Sequence, residues 1–374
     1  MLVLAVGACT DGTGPVLDLA LSETAVGRGH SCGIDTSGGL YCWGRGYDGQ
    51  LGIGPASTTS RPFPADLDRS FASVTAGYDH TCGLIADGRA FCWGWNPWGQ
   101  LGLGVGGTGV NRPNPVAGDH RFTVLAAGWY HTCGITVAGE LLCWGYNGDG
   151  QLGTGDLQLR EVPVPVASTA SFTAVAAGGA HTCATATSGD TFCWGRNSEG
   201  QLGDGTTDRR ATPTRVSGGA RYRALTAGRG HTCGLTTDRA IYCWGGNGNG
   251  QLGVNSVSRP GVPGTTVAAL VARNQAYVQV SAGNDYTCAV DADGTGYCWG
   301  RAEYGQLGVA TVEDQAQPRL IPAPRFRSIT TGPGTHTCGI DNAGRPFCWG
   351  NADHGGLGAS ATTYSPVPIR VDAT

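Results

Sequence analysis

The chain has 374 residues and a net charge of −4, and 65 of its residues are glycine, which without a Gly-X-Y period indicates many turns rather than collagen. The weak negative charge argues against nucleic acid or an anionic membrane as a partner, because both need a basic face. All 24 basic residues are arginine, and the absence of lysine excludes a Walker A phosphate loop and a Schiff-base lysine.

Residues 1–20 are predicted to be a truncated leader and a linker. The apolar stretch "MLVLAVGAC" ends in small residues before Cys9, which resembles the tail of a bacterial lipoprotein signal with Cys9 as the lipidated residue. It is too short for a complete signal, and the alternative is a ragged terminus with a free thiol. No other segment has the ~20 apolar residues of a membrane span, so membrane contact is expected only through a lipid on Cys9.

Residues 21–374 repeat one unit seven times, and we predict a single domain built from these repeats. The spacings between successive Cys-Trp-Gly triplets are 50, 51, 50, 50, 55 and 50 residues. A period near 50 residues indicates a repeat architecture. We place the repeats at about residues 21–70, 71–121, 122–171, 172–221, 222–276, 277–325 and 326–374.

Each repeat contains four short extended segments separated by turn residues. The first ends in small residues such as Ala126-Ala127-Gly128, the second contains His-Thr-Cys, the third contains Cys-Trp-Gly, and the fourth starts at a proline such as Pro113. Seven repeats of four antiparallel strands predict an all-β fold, a seven-bladed β-propeller. Because blades converge at the axis, the small residues place the first strand innermost.

Fourteen of the fifteen cysteines form pairs ten positions apart, and one disulfide per blade is predicted. The two cysteines of a pair are symmetric about a hairpin turn and share one blade face, while the tryptophan occupies the other face. Opposed Cβ atoms at the closer type of strand pair are near the ~3.5–4.5 Å that a disulfide needs. This cysteine usage is typical of an oxidising compartment. The pairs are Cys32–Cys42, Cys82–Cys92, Cys133–Cys143, Cys183–Cys193, Cys233–Cys243, Cys288–Cys298 and Cys338–Cys348.

The motifs HTCGL…CWG and GQLGxG resemble the regulator of chromosome condensation repeat family, especially its secreted bacterial members with a cystine in each repeat. The resemblance covers about residues 21–374 and implies a seven-bladed disc with a binding face. Members of the family include a nuclear guanine-nucleotide exchange factor, a plant ultraviolet receptor and a secreted β-lactamase inhibitor. Repeat six departs from the pattern with Tyr286 in place of histidine, and repeat seven with Gly356 in place of glutamine. Whether Gly14–Leu19 adds a strand to the last blade stays open.

A histidine recurs once in six of the seven repeats. Equivalent positions around a ring lie too far apart to converge on one ion, so we predict no metal and a structural hydrogen bond at the strand end. We also predict no catalytic residue and no cofactor, because neither a G-x-S-x-G nor an H-E-x-x-H motif is present. The histidines are His30, His80, His131, His181, His231 and His336.

The best functional signal lies where the repeats differ: in the two residues before each histidine and in the four residues after each Cys-Trp-Gly. Because strand direction alternates, both windows are expected on one disc face. Aromatic side chains among Arg and Asp are typical of protein-binding hot spots, and the alternative is packing against the Gly-Gln-Leu-Gly loop. Four of them, from adjacent blades, are expected to form one patch: Trp95, Trp98, Trp129 and Tyr130. The whole predicted set is Tyr47, Tyr78, Trp95, Trp98, Trp129, Tyr130, Tyr146 and Tyr304.

From these features we predict an exported, non-enzymatic, monomeric scaffold that binds a protein partner, either as a bacterial envelope lipoprotein or outside the cell. One alternative, by family analogy, is nucleotide exchange on a GTPase, which would require a reduced cytosolic protein. Another alternative is a propeller enzyme acting on carbohydrate, which would require carboxylates clustered around the axis.

Overall fold

The computed structural model describes residues 19–55, 57–258, 262, 264–272, 275–359 and 363–371. Within these residues, 28 strands form seven four-stranded sheets, and each sheet uses four consecutive strands in antiparallel order. The all-β, seven-bladed propeller with four antiparallel strands per blade is therefore confirmed. Within the same ranges, no helix has the length and apolar character that a membrane crossing requires.

The strands are grouped here by blade. Blade 1 contains β1 Leu21–Val26, β2 His30–Asp35, β3 Leu40–Gly44 and β4 Thr59–Asp66, and blade 2 contains β5 Phe71–Ala76, β6 His80–Ile85, β7 Ala90–Gly94 and β8 Val110–Pro115. Blade 3 contains β9 Phe122–Ala127, β10 His131–Thr136, β11 Leu141–Gly145 and β12 Arg160–Pro165, and blade 4 contains β13 Phe172–Ala177, β14 His181–Ala186, β15 Thr191–Gly195 and β16 Arg210–Arg215. Blade 5 contains β17 Tyr222–Ala227, β18 His231–Thr236, β19 Ile241–Gly245 and β20 Thr265–Leu270, and blade 6 contains β21 Tyr277–Ala282, β22 Tyr286–Asp291, β23 Gly296–Gly300 and β24 Gln315–Leu320. Blade 7 contains β25 Phe326–Thr331, β26 His336–Asp341, β27 Pro346–Asn351 and β28 Tyr364–Arg370. A 3₁₀ turn, Asp353–Gly355, follows β27.

The first strand of each blade is the innermost one. These strands surround an axial cavity of about 220 Å³, whose lining includes small residues such as Ala76, Ala126 and Ala177. Small side chains are required there because seven strands approach one axis.

The fourth strands begin earlier than expected. Strand β8 begins at Val110, three residues before Pro113, and pairs with β7 through Val110 opposite Gly94 and Asn114 opposite Cys92. Pro113 therefore lies in the irregular stretch between these two pairs. An edge strand tolerates proline at such a position, because no ladder hydrogen bond needs its missing N–H.

Each pair of cysteines lies directly opposite across the second and third strands, as Cys133 and Cys143 do. All seven disulfides are present, each with a Cα–Cα distance of 4.1 Å. This distance matches the closer, non-hydrogen-bonded type of antiparallel pair. Seven disulfides indicate an oxidising environment, extracellular or exported.

Adjacent blades pack the cystine face of one sheet against the tryptophan face of the next. Cys32 and Cys42 of blade 1 share a buried cluster with Phe71 and Trp93 of blade 2. The same packing closes the ring, because Trp43 of blade 1 packs with the Cys338–Cys348 pair of blade 7. All four strands of blade 7 come from residues 326–370. Of the Gly14–Leu19 segment, residues 14–18 lie outside the described ranges.

A second interblade contact joins each histidine to a hydroxyl of the next blade. His131 Nε2 lies 2.9 Å from Thr182 Oγ1, and that hydroxyl donates to the carbonyl oxygen of Gln151 at 2.8 Å. Because the threonine proton is committed to the carbonyl, the histidine must donate through Nε2. The other histidine–hydroxyl pairs are His30–Thr81, His80–Thr132, His181–Thr232, His231–Thr287 and His336–Ser31, at 2.8–3.0 Å. In blade 6, Tyr286 replaces histidine, and its hydroxyl donates to the His336 carbonyl at 2.6 Å.

We expect Thr182→Val to lower the free energy of unfolding by about 1–3 kcal/mol, because it leaves the buried Nε2–H of His131 without an acceptor. Urea unfolding followed by tryptophan fluorescence measures this loss. Thr212→Val, the same substitution at an exposed threonine, is the control and should change stability little. Equal midpoints for the two variants would contradict a stabilising role for the interblade hydrogen bonds.

Candidate protein-binding face

The two variable windows of each repeat lie side by side at one end of the disc. The residue after each Cys-Trp-Gly donates a backbone hydrogen bond to the residue before the histidine of the same blade. Arg45 N donates to Gly29 O, Trp95 N to Asp79 O and Tyr146 N to Tyr130 O, each at 2.8 Å. The ladder between the second and third strands thus continues into both windows and fixes their side chains on one face.

Backbone hydrogen bonds between blades set the order of these side chains around the mouth of the axial cavity. Arg28 N donates to Tyr78 O at 3.1 Å, Tyr78 N to Trp129 O at 3.3 Å and Trp129 N to Gly178 O at 3.2 Å. The windows of blades 1 to 4 are therefore held in contact by main-chain atoms, independently of the side chains that they carry.

Four aromatic side chains of blades 2 and 3 form a connected group, called here the aromatic cluster: Tyr78, Trp95, Trp129 and Tyr130. The Tyr78 ring centroid lies 5.1 Å from that of Trp129 and 5.4 Å from that of Tyr130. Trp95 joins through Tyr130 at 5.5 Å. These separations are typical of favourable aromatic pairs. All four side chains remain partly exposed, so the cluster presents ring surface at the mouth.

The other predicted residues lie around this cluster or apart from it. Trp98 does not contact the cluster through its ring but pairs with Tyr146, at 5.2 Å. Tyr47, which is 59% exposed, has an edge-to-face contact with His354 at 5.7 Å. Tyr304 lies in blade 6, where its backbone N–H donates to Gln306 Oε1 at 2.9 Å. The observed cluster therefore differs from the expected patch of Trp95, Trp98, Trp129 and Tyr130 in two ways. Tyr78 belongs to the cluster, and Trp98 forms a separate pair with Tyr146.

A charged network borders the cluster on the blade 1 side. The Asp79 carboxylate is paired with Arg45 and lies 3.5 Å from Arg28. The Arg28 guanidinium lies over the Tyr78 ring, 4.8 Å from its centroid, which is a cation–π geometry. Burial raises the pKa of Asp79, and the two arginines oppose this rise. The Tyr78 ring thus contacts the Arg28 guanidinium as well as the rings of Trp129 and Tyr130.

Sequence reasoning did not single out Arg28, Arg45 or Asp79. A signal was present: the position before the histidine holds Gly29, Ala180 or Gly230 in three other repeats, but Asp79 in repeat two and Asp285, before Tyr286, in repeat six. The pairing itself could not be read from one repeat, because it joins residues of two adjacent blades.

Family models match repeatedly along the chain. The model described as "Regulator of chromosome condensation (RCC1) repeat" matches residues 37–84, 87–135, 138–185, 188–235, 240–290 and 293–340. A second model with the same description matches residues 22–50, 71–100, 122–151, 172–201, 222–251 and 277–306. Together these matches cover most of the sequence.

Two characterised proteins share shorter segments with the chain. The ultraviolet-B receptor UVR8 of Arabidopsis thaliana is 33% identical over 146 residues, which is 37% of this chain and 32% of the receptor. The regulator of chromosome condensation of Xenopus laevis is 38% identical over 60 residues, 16% of this chain and 14% of that protein. The matched segments thus span about a third of the receptor and a smaller part of the Xenopus protein.

Solved structures show the same fold over nearly the whole chain. Prp20p of Saccharomyces cerevisiae has a TM-score of 0.79 and 21% identity, covering 97% of this chain and 91% of Prp20p. Human WBSCR16 has a TM-score of 0.76 and 22% identity, covering 85% of each chain. With repeat models matching from residue 22 to residue 340, the chain belongs to the regulator of chromosome condensation (RCC1) repeat family.

Proposed function

We propose that the chain is an exported, monomeric, non-enzymatic scaffold that binds a protein partner through the aromatic cluster. The observation that carries the proposal is the cluster itself: four connected, partly exposed large aromatic side chains at one end of a rigid disc. Binding hot spots are enriched in Trp, Tyr and Arg, which present a large contact area at low cost in conformational entropy. Trp98, Tyr146, Tyr47 and Tyr304 extend the proposed surface around the mouth.

The charged network next to the cluster supports a polypeptide partner. Arg28 is about half exposed beside Tyr78, and Arg45 also pairs with Asp48 at 2.9 Å. Charges at the edge of an apolar contact orient the partner and exclude unsuitable ones. The similar yeast propeller Prp20 is described with Kap60 bound and with binding properties to Gsp1p and histones, so related discs contact proteins.

Export is supported by the seven disulfides, all of whose sulfur-bearing residues are fully buried. Lipidation of Cys9 would tether the disc to a bacterial envelope, and it is part of the proposal. Cys9 lies outside the described residues. The alternative is a secreted protein without a lipid anchor, and it would place the aromatic cluster in an oxidising environment as well.

Two other functions have less support. Nucleotide exchange on a GTPase, suggested by the family, requires a reduced cytosolic protein, which seven buried disulfides disfavour. A carbohydrate-active enzyme would need carboxylates at the axis. The described residues that line the axial cavity are small, aliphatic or threonine residues together with Trp129 and Pro333, and none is an aspartate or a glutamate.

Replacing Trp95, Trp129 and Tyr130 with alanine is expected to reduce partner capture at least about tenfold, because truncating one hot-spot residue costs about 2 kcal/mol or more. Immobilised disc is incubated with envelope extract or culture fluid of the native host. Quantitative mass spectrometry then compares the proteins retained by the wild type and by the variant.

The control variant carries Leu67→Ala and Val137→Ala. These side chains are 87% and 70% exposed, and they lie in turns after a fourth and a second strand, at the opposite end of the disc. This variant should retain the same proteins as the wild type. Undiminished capture by a folded cluster variant would refute the site, and circular dichroism establishes that the variant is folded.

A further inference from the structure

A pocket of about 210 Å³ opens on the same face, between blades 3, 4 and 5. Trp129, Tyr130 and Tyr146 of blade 3 line it on one side. Arg196 and Glu199 of blade 4 and Arg229 of blade 5 line it on the other. The pocket thus has an aromatic wall facing a charged wall.

The pocket exists because the windows of blades 4 and 5 carry small residues. Blade 4 has Gly179 and Ala180 where blade 3 has Trp129 and Tyr130, and both small residues line the pocket. In blade 5, a Cβ added to Gly230 would lie 2.9 Å from Glu199 Oε1. The Glu199 carboxylate therefore occupies space that a larger side chain at position 230 would fill.

Gln151, one of the residues that line the pocket, has a buried donor without a partner among the described residues. Gln151 is fully buried, and its Oε1 accepts the Asp149 backbone N–H at 3.0 Å, which fixes the orientation of the amide. Its Nε2 has no hydrogen-bond partner among the described residues. In blade 1, the equivalent Gln50 donates through Nε2 to Asp79 at 3.4 Å. Ala180 stands at the position of Asp79, so blade 4 supplies no acceptor for Gln151.

An unpaired buried donor is unfavourable, and an acceptor atom of a ligand would satisfy it. A second amide, that of Gln201, lines the pocket, with its Oε1 taken by the Glu199 backbone N–H at 2.9 Å. This is the same backbone contact that orients the amide of Gln151. The two amide side chains and the Glu199 carboxylate thus line one pocket and together carry both donors and acceptors.

The charges of the pocket balance. Asp149 and Glu199 are acidic, and Arg196 and Arg229 are basic. Burial raises the pKa of Glu199, and Arg229 opposes this rise. A lining with no net charge and with both donors and acceptors favours a neutral, polyhydroxylated ligand over an ion.

We propose that this pocket binds a neutral pyranose sugar. Each sugar hydroxyl both donates and accepts hydrogen bonds, which suits the mixed set formed by Gln151, Gln201 and Glu199. The apolar C–H face of the ring would lie against the wall of Trp129 and Tyr146, as apolar ligand surface does in pockets lined by aromatic side chains. The site goes beyond the proposed protein-binding function, which does not require it.

Saturation-transfer NMR with methyl glycosides of glucose, galactose, mannose and N-acetylglucosamine tests the proposal. We expect at least one of these glycosides to bind the wild type with a dissociation constant of about 1 mM or lower. Ala180→Leu should fill the pocket and weaken that binding at least about tenfold, since the added side chain occupies the space of the ligand. Thr335→Leu, at the equivalent position of blade 7, is the matched control and should leave binding unchanged.

A second pair of variants addresses the unpaired donor. Gln151→Glu keeps an acceptor for the Asp149 N–H but removes the Nε2 donor, so it should weaken glycoside binding. Gln100→Glu makes the same change at the equivalent position of blade 2, whose Nε2 is likewise unpaired among the described residues, and should not weaken binding. Melting curves establish that the variants are folded.

Failure of all four glycosides to bind, or unchanged binding in both Ala180→Leu and Gln151→Glu, would overturn the assignment. Binding only of a peptide bearing an Asn or Gln side chain would overturn it as well, since the pocket would then accept an amide. Protein capture through the aromatic cluster is measured separately, so the two proposals can fail independently.

Discussion

Acidification from pH 7 to pH 4.5 is expected to lower the free energy of unfolding by several kcal/mol per pH unit. Burial holds the pKa of His30, His80, His131 and His231 at about 3 and that of His181 and His336 at about 4, whereas the ordinary value is 6.5. As the pH falls from about 6.5 to 4.5, these six histidines therefore become protonated in the unfolded chain but stay largely neutral in the folded disc. One proton of difference amounts to about 1.4 kcal/mol per pH unit.

Buried carboxyl groups oppose this effect. Burial raises the pKa of Glu23 to about 7, so in the folded state Glu23 binds a proton at a pH where the unfolded chain does not. Asp79, Glu199 and Asp285 also have pKa values raised by burial and act with the same sign. The net uptake on unfolding is thus smaller than the histidines alone would give, but the histidines outnumber the groups with large opposing shifts.

Guanidinium unfolding at a series of pH values, with the disulfides intact, measures this dependence. His181→Tyr removes one buried histidine and introduces the residue that blade 6 already carries at this position, so its pH slope should be shallower by about one proton. Tyr286→His is the matched reverse change and should steepen the slope. A free energy of unfolding that stays constant from pH 7 to pH 4.5, or identical slopes for the three proteins, would contradict the conclusion that the six buried histidines are neutral in the folded disc.

The features predicted correctly from sequence are those that repeat and are local. Cys133 and Cys143 lie across one hairpin, so their spacing alone is enough to predict their pairing. The number of blades follows from the recurrence of Cys-Trp-Gly, and the innermost strand follows from its small residues. Pro113 shows the limit of a local signal, because a bulge places it inside the strand that it was expected to start.

The candidate site depends on contacts between blades, and these are harder to predict. Asp79 pairs with Arg45, which lies 34 positions earlier in the chain, so neither repeat alone contains the network. The pocket depends on Ala180 and Gly230, whose effect is to leave space, and a search for chemically active side chains passes over such residues. Gln151 Nε2 is unpaired because blade 4 lacks the aspartate that accepts from Gln50 in the equivalent loop, so its state depends on a residue of another repeat.

Reduction of all seven disulfides is expected to unfold the chain under native conditions. Each bridge closes a loop with a sequence separation of ten residues, worth about 3 kcal/mol in the chain-entropy model, and the seven loops do not overlap. Even part of their combined contribution exceeds the ~5–15 kcal/mol by which a typical domain is stable. Replacing one pair, with Cys183→Ala and Cys193→Ala, should lower the free energy of unfolding by about 2–4 kcal/mol.

Because the sulfur atoms are buried, their reduction should depend on unfolding, unlike the reduction of exposed disulfides. All fourteen disulfide-bonded cysteines are fully buried between blades, so a reductant reaches them only when blades separate. Dithiothreitol alone should therefore react slowly, and dithiothreitol with urea should release the thiols together with the loss of β-sheet circular dichroism. The variant with Cys183→Ala and Cys193→Ala lacks the one disulfide of blade 4, so it should release two fewer thiols than the wild type after full reduction. A fully reduced chain that keeps the melting temperature of the oxidised protein would remove the physical basis for export, because such a disc would be equally stable in a reducing cytosol.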